Sequence, residues 1–174
     1  MFRISPLRND EEVVPMTSWP ITSLIPHDPP MALLDELVDH EGSRSACRVT
    51  IRPDSIFAGE RGVPSYVTLE YMAQAIAAHG GFLARTDGAP VQKGFLLGTP
   101  RLSTFRPFLA PGTVLRVEVE QVWGDDALLH FACRVIDEDT QEIVAESGVR
   151  VLKPKEPDAL IDGRRADVPG DHTR

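Results

Sequence analysis

The feature that most constrains this chain is a run with too little polarity to lie on a surface. From Val67 to Ala78 nearly every residue is small or apolar, and the polar exceptions that matter are Glu70 and Gln74. Pro64 and Ser65 precede the run and give a helix start signal, with Ser65 as the expected N-cap. A helix that is apolar on all sides has to be buried. Residues four apart share a helix face, so Glu70 and Gln74 should form one polar stripe on a buried rod, with Glu70 in its first turn. A carboxylate removed from water should have a raised pKa. It could then serve as a general acid or base, beside helix N–H groups able to receive a carbonyl oxygen. The structural alternative is a carboxylate bonded to Gln74 or to the helix start, and the run alone does not choose between them.

The flanking sequence supplies strands. Ser45, Cys47, Val49 and Ile51 alternate with Ala46, Arg48 and Thr50, the two-residue period of a half-buried strand. Upstream, residues 1–20 mix charges with Pro6, Pro15 and Pro20 and read as a mobile arm in which Met16 is a second candidate start. Ile21 to Ile25 suits one helical turn, and the run from Met31 to Val38 a turn and short strand. Downstream of the helix, Phe95 to Phe105 reads as one buried strand. Leu115–Glu120 and Leu129–Val135 then alternate around a turn at Gly124–Asp126, and a second turn at Asp137–Gln141 leads into Ile143–Leu152. Residues 154–174 lose the apolar pattern and read as a disordered tail. The expected fold is therefore α+β: a single domain over 21–153, with one long central helix wrapped by a curved antiparallel sheet of five or so strands.

Composition limits the function. The 174 residues are 42% hydrophobic, enough for one well-buried core. A net charge of −8 argues against nucleic acid as a partner. Cys47 and Cys133 lack metal-ligand spacing and fall on apolar-patterned segments, so both are read as core thiols and no metal or cofactor is expected. No window is long and apolar enough for a membrane span, and the N-terminus lacks the apolar core of a signal peptide, so the expected location is cytoplasmic.

Several pieces, in order, carry a family resemblance. Ile25-Pro26-His27 with Leu33-Leu34-Asp35 forms an opening segment; Phe57, Gly59 and Pro64 form a loop; Leu69-Glu70-Tyr71-Met72-Ala73-Gln74-Ala75 forms a helix signature; and Leu97-Gly98 through Arg101, Phe105-Arg106-Pro107 and Pro111-Gly112 follow. Together they resemble the hot-dog fold β-hydroxyacyl-acyl-carrier-protein dehydratases, closest to the aryl-polyene branch, which Ala77-Ala78-His79-Gly80 also resembles. The resemblance implies a 3-hydroxyacyl-thioester dehydratase of fatty-acid or polyketide-type lipid synthesis. In that family a loop histidine takes the proton next to the thioester carbonyl, and the helix glutamate of the other protomer, here Glu70, handles the departing hydroxyl. Backbone N–H groups around Tyr66 would bind the thioester oxygen. Tyr66, Gln74, Ile56, Phe57, Gly59 and Pro64 become the expected substrate-binding set.

This sequence departs from the pattern at one point, because Ile56 occupies the position of the loop histidine. Among substitutes, His79 is nine residues past Glu70 and so on the opposite helix face, where packing or capping is the plainer role. His27 reads as structural, though its Pro-rich segment could approach the site from either protomer; His40 and His130 have no motif beside them. Two alternatives to the dehydratase follow: an acyl thioesterase using Glu70 as base or nucleophile, and a catalytically reduced subunit that partners an active dehydratase. An all-apolar helix and a bare sheet edge also imply a homodimer, or a hetero-oligomer with a second hot-dog subunit. An acidic acyl-carrier protein would need local cations on this acidic chain, and Arg61, Lys93, Arg101 and Arg106 are the candidates.

Overall fold

The computed structural model describes residues 19–92, 94–125 and 127–153. Most of the expected arm at 1–20, the whole expected tail at 154–174, and Lys93 lie outside the described residues. Trp19, at the end of the expected arm, packs against the core and lies under the Arg85 guanidinium.

Among the described residues one α-helix, α1 (Thr68–Thr86), is set among nine strands: β1 (Glu36–Glu41), β2 (Arg44–Thr50), β3 (Val63–Pro64), β4 (Phe95–Gly98), β5 (Leu102–Thr104), β6 (Phe108–Leu109), β7 (Val114–Gly124), β8 (Leu128–Asp137) and β9 (Ile143–Leu152). Seven strands form one antiparallel sheet in the order β1-β2-β7-β8-β9-β4, with β5 also on β9, and β3 pairs with β6 apart from it. The α+β hot-dog arrangement is as expected, but the sheet has seven strands rather than five or so. The three long strands announce themselves by alternation; β3 and β6 are too short to carry a period.

The expected single strand over Phe95–Phe105 is two. Gly98, at φ +134°, and Pro100 interrupt it, and the halves pair with different parts of β9, Leu96 with Val151 and Ser103 with Glu146.

The inward face of the sheet meets α1. Cys47 and Val49 on β2, Val117 and Val119 on β7, and Phe131, Cys133 and Val135 on β8 bury against a cluster that includes Tyr71, Met72, Ala75 and Ala78. Both cysteines are free and buried, and burial pushes the Cys47 thiol up to about 12 and raises that of Cys133 as well. On the outer face charges pair within and across strands: Arg116 bonds Glu118 on its own strand and Asp39 on β1, and Arg134 of β8 closes on the same Glu118. Alternation has thus sorted apolar side chains inward and ion pairs outward.

The helix continues to Thr86, eight residues beyond the apolar run that ends at Ala78, with His79 and Gly81 still buried. Gly81 lies within it where a Cβ would collide with the Leu24 carbonyl. A glycine there costs about 1 kcal/mol of helix propensity, and in exchange the strap from Ile21 to Leu34 lies directly on the helix. The helix start also differs from expectation. Ser65 sits in a 3-10 turn, its buried Oγ has no hydrogen-bond partner among the described residues, and the turn is fastened instead by Thr68 Oγ1 donating to Ser65 O at 2.6 Å.

Candidate active site

Glu70 and Gln74 share a helix face as their spacing requires, and Gln74 Nε2 donates to Glu70 Oε1 at 2.9 Å. Gln74 is fully buried and makes two more bonds, donating to Met31 O at 2.7 Å and accepting from Leu33 N–H at 2.9 Å. One amide therefore satisfies the backbone of the strap and aims the carboxylate at the same time. Arg85 donates to Ser23 O on the same strap.

Held this way, the strap brings His27 Nε2 to 3.7 Å from Glu70 Oε1 of the same chain. His27 Nδ1 is buried without a hydrogen-bond partner among the described residues. An orphaned buried ring nitrogen is expensive to keep. His27, read from sequence as structural, is thus the imidazole that faces the carboxylate. Their side chains keep 32% and 30% of their exposure, so Glu70 is less withdrawn from water than an all-apolar helix suggested.

Both groups line a cavity of about 440 Å³ beside α1. Ala73, Ala77, Gly80 and Ala84 leave a groove along the helix, and Leu129 and Phe131 of β8 form the opposite wall. The groove curls around the helix as it runs, and His79 lines it as well. Nine residues place His79 on the far helix face from Glu70, and the cavity, lined from both faces, is bordered by the two all the same. His79 Nδ1 and Ser45 Oγ lie 2.9 Å apart, and Ser45 Oγ and His40 Nδ1 a further 2.9 Å. Burial, and secondarily the neighbouring His40, push the His79 imidazole down to about 4. His130 is on β8, opposite Arg150 of β9.

The rest of the expected substrate set is elsewhere. Ile56, Phe57, Gly59, Pro64 and Tyr66 do not line this cavity. Ile56 and Tyr66 are 45% and 70% exposed. Of the candidate docking cations, Arg61 lies over the Phe108 ring at 4.0 Å and Arg101 is exposed. Arg106 bonds Asp137 at 2.8 Å and Glu142 at 3.1 Å, which gives it a structural task that its sequence position does not show.

A single helix wrapped by a curved antiparallel sheet, with a conspicuous carboxylate near the helix start, defines a protein of the hot-dog class. Solved structures agree on the fold: the dehydratase heterocomplex ApeI:P from Xenorhabdus doucetiae matches at TM-score 0.77 and 22% identity over 84% of this chain and 99% of that one. A thioesterase with coenzyme A from Streptococcus pneumoniae matches at TM-score 0.55 and 9% identity over 68% and 84%. The E. coli PaaI protein of the phenylacetic acid degradation operon matches at 0.53 and 11% over 67% and 81%. No curated protein sequence matches the chain. The family model for ApeP-like proteins, ApeP dehydratase, matches residues 19–162, and the chain belongs to that family of aryl-polyene-type hot-dog dehydratases.

Proposed function

We propose that this chain removes water from a 3-hydroxyacyl thioester presented by an acyl-carrier protein in the cytoplasm, with His27 and Glu70 as its acid–base pair. The observation that carries the reading is the 3.7 Å approach of His27 Nε2 to Glu70 Oε1 at the wall of an acyl-sized cavity. His27 takes the proton from C2, next to the thioester carbonyl. The C2–H electron pair becomes the C2–C3 double bond, and the C3–O bond breaks as Glu70 gives its proton to the leaving hydroxyl. Water and an enoyl thioester result, and transfer of the proton from His27 to Glu70 restores the pair. His27 thus replaces the loop histidine absent at Ile56, and both groups come from one chain.

The exposed loop bearing Ile56, Phe57 and Tyr66, together with Leu96 and Leu97 exposed on the edge strand β4, supports work in a dimer. A second copy or a second hot-dog subunit would then cover the cavity mouth. The heterocomplex among the structural relatives favours the second subunit. The thioesterase alternative fits less well, because it leaves His27 without a task. The test is product mass after incubation of the chain, alone and with a second hot-dog subunit, with a 3-hydroxyacyl carrier. Loss of water with the thioester intact supports the reading; release of free thiol, or no change in either arm, contradicts it.

A further inference from the structure

We propose that this chain covers an apolar corner of its outer sheet face with its own segment Ala159-Leu160-Ile161, held there by Asp158 against Arg150. The contact is independent of the chemistry at His27 and Glu70.

The outer face is otherwise a field of ion pairs, and one corner breaks that rule. The register of β7 with β8 pairs Gln121 with Phe131 and Trp123 with His130, so Val122 is the extra residue of a bulge. Val122 and Trp123 stay 42% and 54% exposed. Phe131 faces the core, and residues directly opposite one another in a sheet share a face. Trp123, His130 and Arg150 therefore form one row across β7, β8 and β9 on the outer side. Gly98 of β4 ends the row without a side chain. Arg150 is exposed and forms no ion pair with the described residues, whereas Arg116 and Arg134 on the same face are both paired. A half-exposed tryptophan beside an uncompensated guanidinium fits a partner that is apolar and acidic.

The chain carries such a segment within reach. Lys153 N–H donates to Ala127 O, so the chain leaves β9 beside the turn between β7 and β8. Trp123 lies two strands across and three residues back from that point, about 14 Å away at ~4.8 Å per strand and ~3.3 Å per residue. The six residues from Lys153 to Ala159 span up to ~20 Å. Ala159-Leu160-Ile161 is the only run of three apolar residues in 154–174, and Asp158 and Asp162 flank it. The family model also reaches past the last strand to residue 162, the end of this motif, which groups the motif with the folded domain. Docked in this way, Leu160 and Ile161 cover Trp123 and Val122, while Asp158 meets Arg150, which stands between the root of the segment and the tryptophan. The contact also pins the end of β9, where Val151 and Lys153 line the cavity. The disordered tail expected from the sequence then begins after residue 162.

Trp19 and Trp123 are the two tryptophans of the sequence, so the full-length chain carrying Trp19→Phe reports on Trp123 alone. Against that parent, Leu160→Asp with Ile161→Asp should raise the acrylamide quenching constant about twofold and shift the emission to the red, since a segment docked at least half the time shields the ring for that share. Arg150→Asp should act in the same direction, and adding Asp158→Arg should restore the shielding, a recovery that loss of one charge alone does not give. Should Trp19→Phe fail to fold, hydrogen exchange on the unaltered chain reads the same contact: amides at 159–161 should exchange more slowly than those at 163–168, and Arg150→Asp should remove the difference. Equal quenching in parent and variant, no protection at 159–161, or shielding lost on dilution, as when a second copy covers the corner, would overturn the proposal.

Discussion

His79 carries a pH signature that can be read without any substrate. Its folded value near 4 lies below the ordinary 6.5, so between those limits the unfolded chain binds the extra proton. Stability should therefore be complete above about pH 6.5 and decline as pH falls toward 4, by on the order of 3 kcal/mol in all. His40, lowered by burial against the opposing pull of Asp39, contributes with the same sign. Urea midpoints measured from pH 4 to 7 should slope upward, and His79→Gln should flatten the slope; an unchanged slope would show that the ring is not buried neutral. At this scale the sequence was unevenly legible. Glu70 stands out because a carboxylate in an apolar helix is conspicuous. His27 does not, because 43 residues and a Pro-rich strap separate it from its partner, and only tertiary contacts bring them together. Sequence also could not distinguish Arg106 from a free surface cation, since its partner Asp137 is remote in the chain and buried.

The helix and its strap act as one element. Gln74 joins them through Met31 O and Leu33 N–H, and Gly81 admits Leu24, so the position of His27 depends on residues that never meet substrate. Gln74→Ala should strand two backbone groups and the Glu70 carboxylate, lowering stability by about 1–3 kcal/mol. Turnover should fall further than the folded fraction does, because His27 and Glu70 lose their alignment. Parallel melts and rates decide this: equal falls in both would reduce Gln74 to a structural bond. The i, i+4 spacing of Glu70 and Gln74 predicts their mutual contact. It does not predict the strap, whose hydrogen bonds run to backbone atoms that no side-chain pattern encodes.

For the whole molecule the open question is what lies against the β4 edge. Leu96 and Leu97 are exposed there at 43% and 55%, on a strand with no neighbour on its outer side among the described residues. If a second subunit pairs here, Leu97→Lys should shift sedimentation toward the monomer and leave the melting of each subunit nearly unchanged. A dimer insensitive to that change would move the interface elsewhere. The long strands and helix were legible because burial on one face imposes a period. The cavity was not, because it arises where a groove of small residues meets a different element, β8. The central claim, that His27 and Glu70 of one chain work as a unit, is tested most directly by a double-mutant cycle on dehydration turnover. His27→Ala and Glu70→Gln should each lower turnover by about 10² or more, and the double variant should be little worse than either. Losses that multiply, or a His27→Ala protein that dehydrates at the wild-type rate, would contradict it.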